Sequence, residues 1–273
     1  MSPRPSYRPT RRRSLVLLLA VPVALLGVVM ARGGGHQSRP PDGPACLATA
    51  GKQSFGFDLD QARNATTIAA VGRREGLPDH AVTIALATAM QESGLHNLDY
   101  GDLDSRGLFQ QRPSQGWGTP QQVTDPAHAA SSFYHHLVHV KGWQTMDTGQ
   151  AAQAVQHSAA PDAYAKWEQQ ARLLAQVLTG EVPAGLTCRV TVPSGAQPDP
   201  QLASTMTTEL GPMATSDAPS TAAGWTAAAW LVGHAEKHHV TSVTYAGQRW
   251  TAETGTWSPA AGVAATAGPP EIS

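Results

Sequence analysis

The sequence is poor in charge and has no excess of basic residues. Charged residues make up 14% of the 273 positions, and 19 Lys and Arg stand against 20 Asp and Glu. Five arginines precede residue 15, so the part after residue 31 carries 14 basic and 20 acidic residues, a net charge of about −6. Without a basic patch, binding to the phosphate backbone of nucleic acid is excluded.

Cysteine is also scarce, and this limits the metal chemistry that the chain can support. Two cysteines occur in the whole sequence, at positions 46 and 188. Two groups of histidines, at positions 135, 136 and 139 and at positions 234, 238 and 239, have no matching set of Cys or carboxylate ligands. We therefore expect a protein without metal or other cofactor.

One long apolar run occurs, at residues 15–31, directly after Arg4, Arg8, Arg11, Arg12 and Arg13. Arginines on this side predict a cytoplasmic N-terminus and export of the chain that follows. A cleaved signal, cut after Ala31, and an uncleaved membrane anchor both fit this pattern. Residues 32–45 are rich in Gly, Pro and Arg and predict a solvated linker.

Both cysteines lie on the exported side of the apolar run. In an oxidising compartment we expect Cys46 and Cys188 to form a disulfide, which would mark the region between them as one folded unit. The alternative is two separate buried thiols.

Residues 58–180 have helical periodicity and lack the alternation of strands. Apolar residues at steps of three and four predict helices at 60–75, 78–94, 125–139, 147–157 and 162–179. Between residues 94 and 120 this periodicity stops and glycines recur, which predicts a long ordered loop of the kind that carries function. The sequence therefore predicts a mainly α fold, with a helical domain at 46–188.

Beyond residue 188 the composition changes. Residues 189–220 are rich in Pro, Ser, Thr, Ala and Gly and predict a flexible linker. Residues 221–258 predict a small α+β module with a helix at 221–237 and the chain's only hairpin, formed by strands at 240–245 and 248–252. Its tryptophans are expected to pack inside it rather than to bind a ligand, and the tail at 259–273 is predicted to be disordered.

One stretch combines several chemically informative residues at fixed offsets. It contains Met90-Gln91-Glu92-Ser93-Gly94, then Asn97, then Gly107-Leu108-Phe109-Gln110. Gly107, Leu108 and Gln110 follow Glu92 by 15, 16 and 18 residues. This pattern resembles the soluble lytic transglycosylases and goose-type lysozymes over about residues 58–180, in a chain whose Ala- and Gly-rich composition looks actinobacterial. The resemblance implies a lysozyme-like domain that cleaves the glycan strands of peptidoglycan.

Glu92 is the candidate catalytic residue. It follows Ala85 and Ala89 on the apolar face of the helix predicted at 78–94, so burial is expected to raise the pKa of its carboxyl group. The negative end of the helix dipole acts in the same direction. A carboxyl group that is protonated near neutral pH can protonate a glycosidic oxygen while the bond breaks. The alternative is a surface glutamate without a chemical role.

The Gly-Leu-x-Gln element implies one wall of a sugar-binding cleft. Its glycine is expected to let the backbone approach the substrate, while Leu108 and Phe109 anchor the loop. By resemblance, the residues that bind the sugars or extend this wall would be Ser105, Gln110, Gln111, Arg112 and Trp117. An ordinary glycine-rich turn is the alternative.

The chain departs from the family in a third element, an Ala-Tyr-Asn-Ala-Gly segment that lines the cleft. The nearest match is at residues 154–159, where the Tyr-Asn pair is missing. Gln156 or His157 would replace the polar contact, and Tyr164 would supply the hydroxyl group. The motif does not decide between these substitutes.

A second carboxylate would decide the type of reaction. Goose-type lysozymes have an Asp shortly before the Gly-Leu-x-Gln element, where this chain has Asp102 and Asp104. An Asp opposite Glu92 would activate water and give hydrolysis, whereas its absence leaves the N-acetyl and 6-hydroxyl groups of the substrate to close an anhydro ring. Both aspartates also suit a structural role in a turn.

We expect an exported, monomeric lytic transglycosylase of the cell wall, with muramidase hydrolysis as the second reaction. A non-catalytic protein that binds the wall or acts as a scaffold is the alternative from a different class. A Glu92 set in an apolar pocket would favour the enzyme, and a fully solvated Glu92 would favour the scaffold.

Overall fold

The computed structural model describes residues 45–158, 163–211, 221–260 and 268–273. The apolar run at 15–31, predicted to be a signal or an anchor, lies outside the described residues, as does most of the linker predicted at 32–45. Within the described ranges, no helix combines the length and the apolar character needed to cross a bilayer.

The described residues form mainly helices, with two small antiparallel sheets. This confirms the prediction of a mainly α fold with a small β part. The helices are α1 Leu59–Arg74, α2 Asp79–Ser93, α3 Pro120–Val123, α4 Pro126–His139, α5 Thr148–Gln156, α6 Glu168–Leu178, α7 Leu202–Leu210, α8 Thr221–Gly233 and α9 Ala235–His238. The strands are β1 Cys46–Ala50, β2 Gln53–Phe57, β3 Leu186–Cys188, β4 Ser242–Tyr245, β5 Gln248–Thr251, β6 Trp257–Pro259 and β7 Glu271–Ile272.

Helix α1 begins at a capping box. The side chain of Asp58 accepts a hydrogen bond from the backbone N–H of Gln61 at 2.8 Å, and the Gln61 side chain accepts one from the N–H of Asp58 at 2.9 Å. These two bonds satisfy amide groups that the first turn leaves without helical partners. Arg73 and Arg74 in the last turn complement the helix dipole.

Helix α2 lies at the centre of the fold and carries the candidate catalytic residue. All ten residues from 81 to 90 are buried, because α1, α4, α5 and α6 pack around the helix. The apolar character on all its faces reflects this central position. The helix ends at Gly94, whose φ of 62° is the left-handed conformation that favours glycine. Glu92 is therefore held in the last turn of a rigid element.

The first sheet corrects the prediction that the chain has a single hairpin. Strands β1 and β2 pair antiparallel across a tight turn at Gly51 and Lys52, and β3 pairs with the other edge of β1. The sequence did not predict this hairpin because β1 is too short for its alternation of buried and partly exposed residues to be recognised.

Cys46 and Cys188 lie opposite each other in the β1–β3 pair and are joined by a disulfide. The predicted bond is confirmed, and both cysteines are fully buried. The bond links the beginning of the described chain to the residue that follows the helical region.

The region predicted as a flexible linker contains a helix that packs on the rest of the fold. In α7, Leu202, Glu209 and Leu210 are buried, and the helix packs against α1. The Thr67 hydroxyl of α1 and the Trp230 indole N–H of α8 each donate to Glu209 Oε2 at 2.7 Å. The Pro-, Ser- and Thr-rich composition of the surrounding segment concealed this helix. Residues 212–220 of the same predicted linker lie outside the description.

The C-terminal region also differs from a separate module with a disordered tail. Helix α8 packs on α1 and α6, and the described residues of both regions belong to one compact unit. The Trp250 indole donates to the carbonyl of Cys188 at 3.1 Å, and the Trp257 indole donates to that of Leu186 at 2.8 Å. In the predicted tail, β7 pairs with β4. The tryptophans are therefore packing residues, and the hairpin predicted around residues 246 and 247 is confirmed.

His234 lies at the centre of the contact between α8 and α1. Its ring is buried, stacks on Trp230 with 3.9 Å between centroids, and has Nε2 3.7 Å from Glu209 Oε2. Burial lowers the pKa of His234 well below its ordinary value, and the nearby cations act in the same direction. Burial raises the pKa of Glu209. The other charged groups that influence His234 are His238, Arg63 and Lys237.

We expect His234 to make the free energy of unfolding depend on pH. Below its ordinary pKa of about 6.5, the unfolded chain binds a proton that the buried ring does not accept, so stability is present above this pH and is lost as the pH falls. Glu209, with a raised pKa, acts in the opposite sense. The free energy of unfolding is measured by chemical denaturation at pH values roughly one unit above and below 6.5. His234→Phe, which retains a ring on Trp230, is expected to reduce the change of this free energy with pH by up to about 1.4 kcal/mol per pH unit. An unchanged dependence in the variant would contradict this assignment.

Candidate active site

Glu92 is half-buried, and a tyrosine from a distant part of the chain donates a hydrogen bond to it. The Tyr164 hydroxyl donates to Glu92 Oε1 at 2.6 Å. Tyr164 is 1% exposed, and burial, followed by the Glu92 carboxylate, raises the pKa of its hydroxyl group. Because the hydroxyl stays protonated, it acts as a permanent donor that holds one oxygen of Glu92. Tyr164, predicted to supply a hydroxyl to the cleft, thus contacts the candidate catalytic residue itself.

Ser93 joins the end of α2 to the Gly-Leu-x-Gln element. Its hydroxyl lies 2.8 Å from the carbonyl oxygen of Leu108 and 3.1 Å from that of Ala89. On the other side, the Gln156 side chain donates to the carbonyl of Phe109 at 2.8 Å. These bonds fix the loop to α2 and to α5. The attachment to α2 is through Ser93, the residue that follows Glu92. Of the two residues considered for the polar contact of the cleft, Gln156 makes the bond to Phe109 and His157 is exposed.

The loop is anchored as predicted by its two apolar residues. Leu108 is fully buried and Phe109 is 1% exposed, and the Phe109 ring stacks on Phe133 with 4.8 Å between centroids. A rigid anchor of this kind keeps the neighbouring polar groups in a fixed position.

Gly107 is required for a reason other than the predicted approach of a substrate. Its φ of 77° is a conformation that side chains with a Cβ rarely adopt, and an added Cβ would lie 2.0 Å from the carbonyl oxygen of Val123. Its N–H donates to the carbonyl of Leu98 at 2.7 Å. The glycine therefore permits close packing of two loop segments.

The side-chain amide of Gln110 donates within the loop, and that of Gln111 donates to helix α4. Gln110 Nε2 lies 3.2 Å from the carbonyl oxygen of Gly107 and 3.3 Å from that of Tyr100, and Gln110 is half-buried. Gln111 is 2% exposed and donates to the carbonyl of Ala129 at 3.0 Å. Gln111 is a structural residue of the loop rather than part of an open wall. Ser105, also predicted to bind substrate, is buried beside them.

Asp104 has the structural role that the sequence left open. It accepts hydrogen bonds from Arg112 Nε at 2.9 Å, from the backbone N–H of Ser114 at 2.8 Å and from the Ser114 hydroxyl at 3.0 Å. These donors, the Arg112 guanidinium first, lower the pKa of Asp104 to about 2. Arg112, predicted to extend the wall, instead holds the loop through this ion pair.

Asp102, Trp117 and His157 lie apart from these bonded networks. Asp102 is exposed, and its backbone carbonyl accepts from the N–H of Ser105 at 2.9 Å. The Trp117 ring is half-buried and stacks on His136 with 3.9 Å between centroids. His157 is exposed at the C-terminal end of α5, with φ at 50°. Of the two candidate second carboxylates, Asp102 alone is free of the turn network.

The sequence analysis missed one contact on the same turn of α2. The Trp167 indole donates to Gln91 Oε1 at 3.0 Å, three residues after Tyr164. The segment that begins α6 therefore attaches to the end of α2 through two consecutive residues, Gln91 and Glu92. No local pattern predicts a pairing across 76 residues of sequence.

The chain was compared with known protein families and with curated proteins. No family matches it, and no curated protein matches it at a significant level.

Proposed function

We propose that this chain cleaves the β-1,4 glycosidic bonds of peptidoglycan as a lytic transglycosylase, with a lysozyme-like helical domain. The observation that carries the proposal is the setting of Glu92. It is half-buried in the last turn of a buried helix, receives a hydrogen bond from Tyr164, and lies beside the loop that Ser93 holds. A glycosidase of this type needs one carboxyl group in a fixed, partly desolvated position.

The roles of the residues follow from the chemistry of bond cleavage. Glu92 would donate its proton to the glycosidic oxygen while the bond from that oxygen to the anomeric carbon breaks. The N-acetyl oxygen of the substrate would stabilise the positive charge on this carbon. The 6-hydroxyl group would then attack the carbon and return its proton to Glu92, which gives an anhydro sugar and regenerates the acid. Tyr164 would keep the carboxyl group oriented during both proton transfers.

The environment of the two aspartates favours this reaction over hydrolysis. The common two-carboxylate mechanisms of hydrolysis, inverting or retaining, need a second carboxylate beside the scissile bond, whereas a reaction assisted by the N-acetyl group does not. Asp104 is occupied by Arg112 and Ser114 and is unsuited to accept a proton from water. Asp102 is the remaining candidate, and its exposed carboxylate keeps muramidase hydrolysis as the second reading.

The masses of released fragments distinguish the readings. Purified full-length chain is incubated with isolated peptidoglycan, and soluble muropeptides are analysed by mass spectrometry. Anhydro ends are expected from the proposed reaction. Reducing ends in the products of the wild type, absent from those of Asp102→Asn, would show hydrolysis instead of transglycosylation. Binding to peptidoglycan without release of fragments would indicate the non-catalytic wall protein.

The proposed substrate places the protein outside the cytoplasmic membrane, in or near the cell wall. The buried disulfide between Cys46 and Cys188 supports an oxidising compartment. We further propose that the chain acts as a monomer and without a cofactor, either released or tethered through residues 15–31.

We expect Tyr164→Phe to reduce muropeptide release about tenfold and to lower the free energy of unfolding by no more than about 3 kcal/mol. The variant retains the buried ring and removes only the hydroxyl that donates to Glu92, and a hydrogen bond to a charged group contributes about 1.5–3 kcal/mol. Initial rates and thermal melting are measured together. Tyr134→Phe is a matched control, since its buried hydroxyl donates to the carbonyl of Ile68 away from Glu92. Equal losses of rate in both variants would argue against a role for Tyr164 at the site.

A further inference from the structure

Two large apolar side chains are exposed in the loop that carries the candidate site. Tyr100 is 68% exposed and Leu103 is 75% exposed. In the described part of the chain, the two other exposed large apolar side chains are more covered, with Val138 at 43% and Ile272 at 41%. Tyr100 and Leu103 are thus the most exposed of the four, and three positions separate them in sequence. We call them the Tyr100–Leu103 patch.

The backbone of Leu103 has a conformation that its side chain disfavours. Its φ is 54°, in the left-handed region that glycine and asparagine enter more readily than a leucine does. Since the side chain is exposed, no burial offsets this cost. We take the combination of an exposed apolar side chain and a disfavoured backbone conformation as pointing to a role in binding.

The patch is fixed to the loop beside Glu92 through Gln110. Gln110 Nε2 donates to the carbonyl of Tyr100, and Gly101 packs so closely that an added Cβ would lie 2.0 Å from Gln110 Oε1. The exposed carboxylates of Asp99 and Asp102 flank Tyr100 and Leu103. The surface therefore combines an aromatic ring, an apolar side chain and two hydrogen-bond acceptors.

We propose that the Tyr100–Leu103 patch is a subsite for a sugar unit of the glycan strand, beyond the two units at the scissile bond. The inference rests on the proposed function, because it takes the strand as the ligand. A pyranose ring has an apolar C–H face that packs on an aromatic ring and hydroxyl groups that donate to carboxylates. Such a subsite adds affinity for long strands and leaves the chemistry at Glu92 unchanged.

Neither a second copy of the chain nor a peptide ligand fits the patch as well. A stable protein interface buries about 1,200 Å² or more, whereas the patch consists of two side chains. The net negative charge of the flanking residues and their hydroxyl-accepting oxygens suit a polyol.

Binding is measured separately from cleavage to test this subsite. The full chain carrying Glu92→Gln is sedimented with insoluble peptidoglycan, alone and with Tyr100→Ala or Leu103→Gly added. Each addition is expected to weaken binding about five- to tenfold, and Leu103→Gly is expected to melt at an equal or higher temperature because it relieves the strained backbone. Val138→Ala, an exposed apolar residue on α4, is the matched control and should bind as the parent does.

The same variants are tested on strands from which an amidase has removed the peptides. Weaker binding to these bare strands supports a sugar subsite. Weaker binding only when peptides are present would overturn it in favour of a peptide contact, and a shift in oligomeric state by sedimentation would overturn it in favour of self-association. If both variants bind as the parent does, the subsite proposal is overturned, even if Glu92→Gln abolishes release. If the variants bind more weakly but the unmodified chain releases no muropeptides, the subsite is upheld and the proposed catalysis is overturned.

Discussion

Glu92→Gln is expected to lower the rate of muropeptide release about 10²- to 10⁴-fold and to leave the fold intact. The substitution retains the size of the side chain and an oxygen that can accept from the Tyr164 hydroxyl. It removes the group that donates and recovers the proton. Because this effect is confined to proton transfer, the melting temperature should be unchanged or slightly higher.

Initial rates of release by the wild type and the variant, measured at equal protein concentration, test this result. Asp102→Asn and Asp104→Asn are the comparison. Asp104→Asn is expected to weaken the loop, because it removes the negative charge that Arg112 and Ser114 hold. If Asp102→Asn lowers the rate of muropeptide release as much as Glu92→Gln does, a hydrolase with two carboxylates would be favoured. Near-normal release by Glu92→Gln would show that both the catalytic assignment and the proposed mechanism are wrong.

Removal of the disulfide is expected to lower the free energy of unfolding by about 3–5 kcal/mol. The bond joins Cys46 and Cys188 across 142 residues, so its loss releases a large amount of conformational freedom in the unfolded chain. Replacement of both cysteines by alanine avoids an unpaired thiol or hydroxyl in a fully buried position. The β1–β3 pairing remains possible in this variant, so the fold should be retained but less stable.

Urea denaturation of the wild type and the double alanine variant, with tryptophan fluorescence as the readout, measures this difference. The wild type under a reducing agent is a second comparison, since it loses the bond without a change of sequence. A loss below about 1 kcal/mol would mean that the pairing of β1 with β3 alone orders the ends of the helical region.

Local rules of sequence were sufficient for much of the helical region. The steps of three and four between apolar residues and the glycine at position 94 predicted α1 and α2 to within a few residues. These features act between neighbours along the chain, so they can be read without knowledge of the fold. The position of Glu92 in the last turn of a buried helix followed from them.

The same rules failed where stability comes from distant partners. Helix α7 lies in a segment rich in Pro, Ser and Thr, and Glu209 is attached to α1 and α8 through hydrogen bonds that no periodicity reveals. The β1–β2 hairpin was missed because its strands are short. Gly107 was correctly marked as a special position, but only the carbonyl of Val123 shows why a side chain is excluded there.

The sequence by itself determined the mainly helical fold, the disulfide between Cys46 and Cys188, and the choice of Glu92 as the candidate acid. The first two depend on local period and on residue type, and the third depends on the resemblance that the motif around Glu92 bears to a known family. The tertiary structure alone decided that Tyr164, 72 residues away, holds Glu92 and that Arg112 occupies Asp104. A hydrogen bond between side chains requires the two groups to be a few ångströms apart, and folding, rather than any pattern along the chain, brings them to that distance.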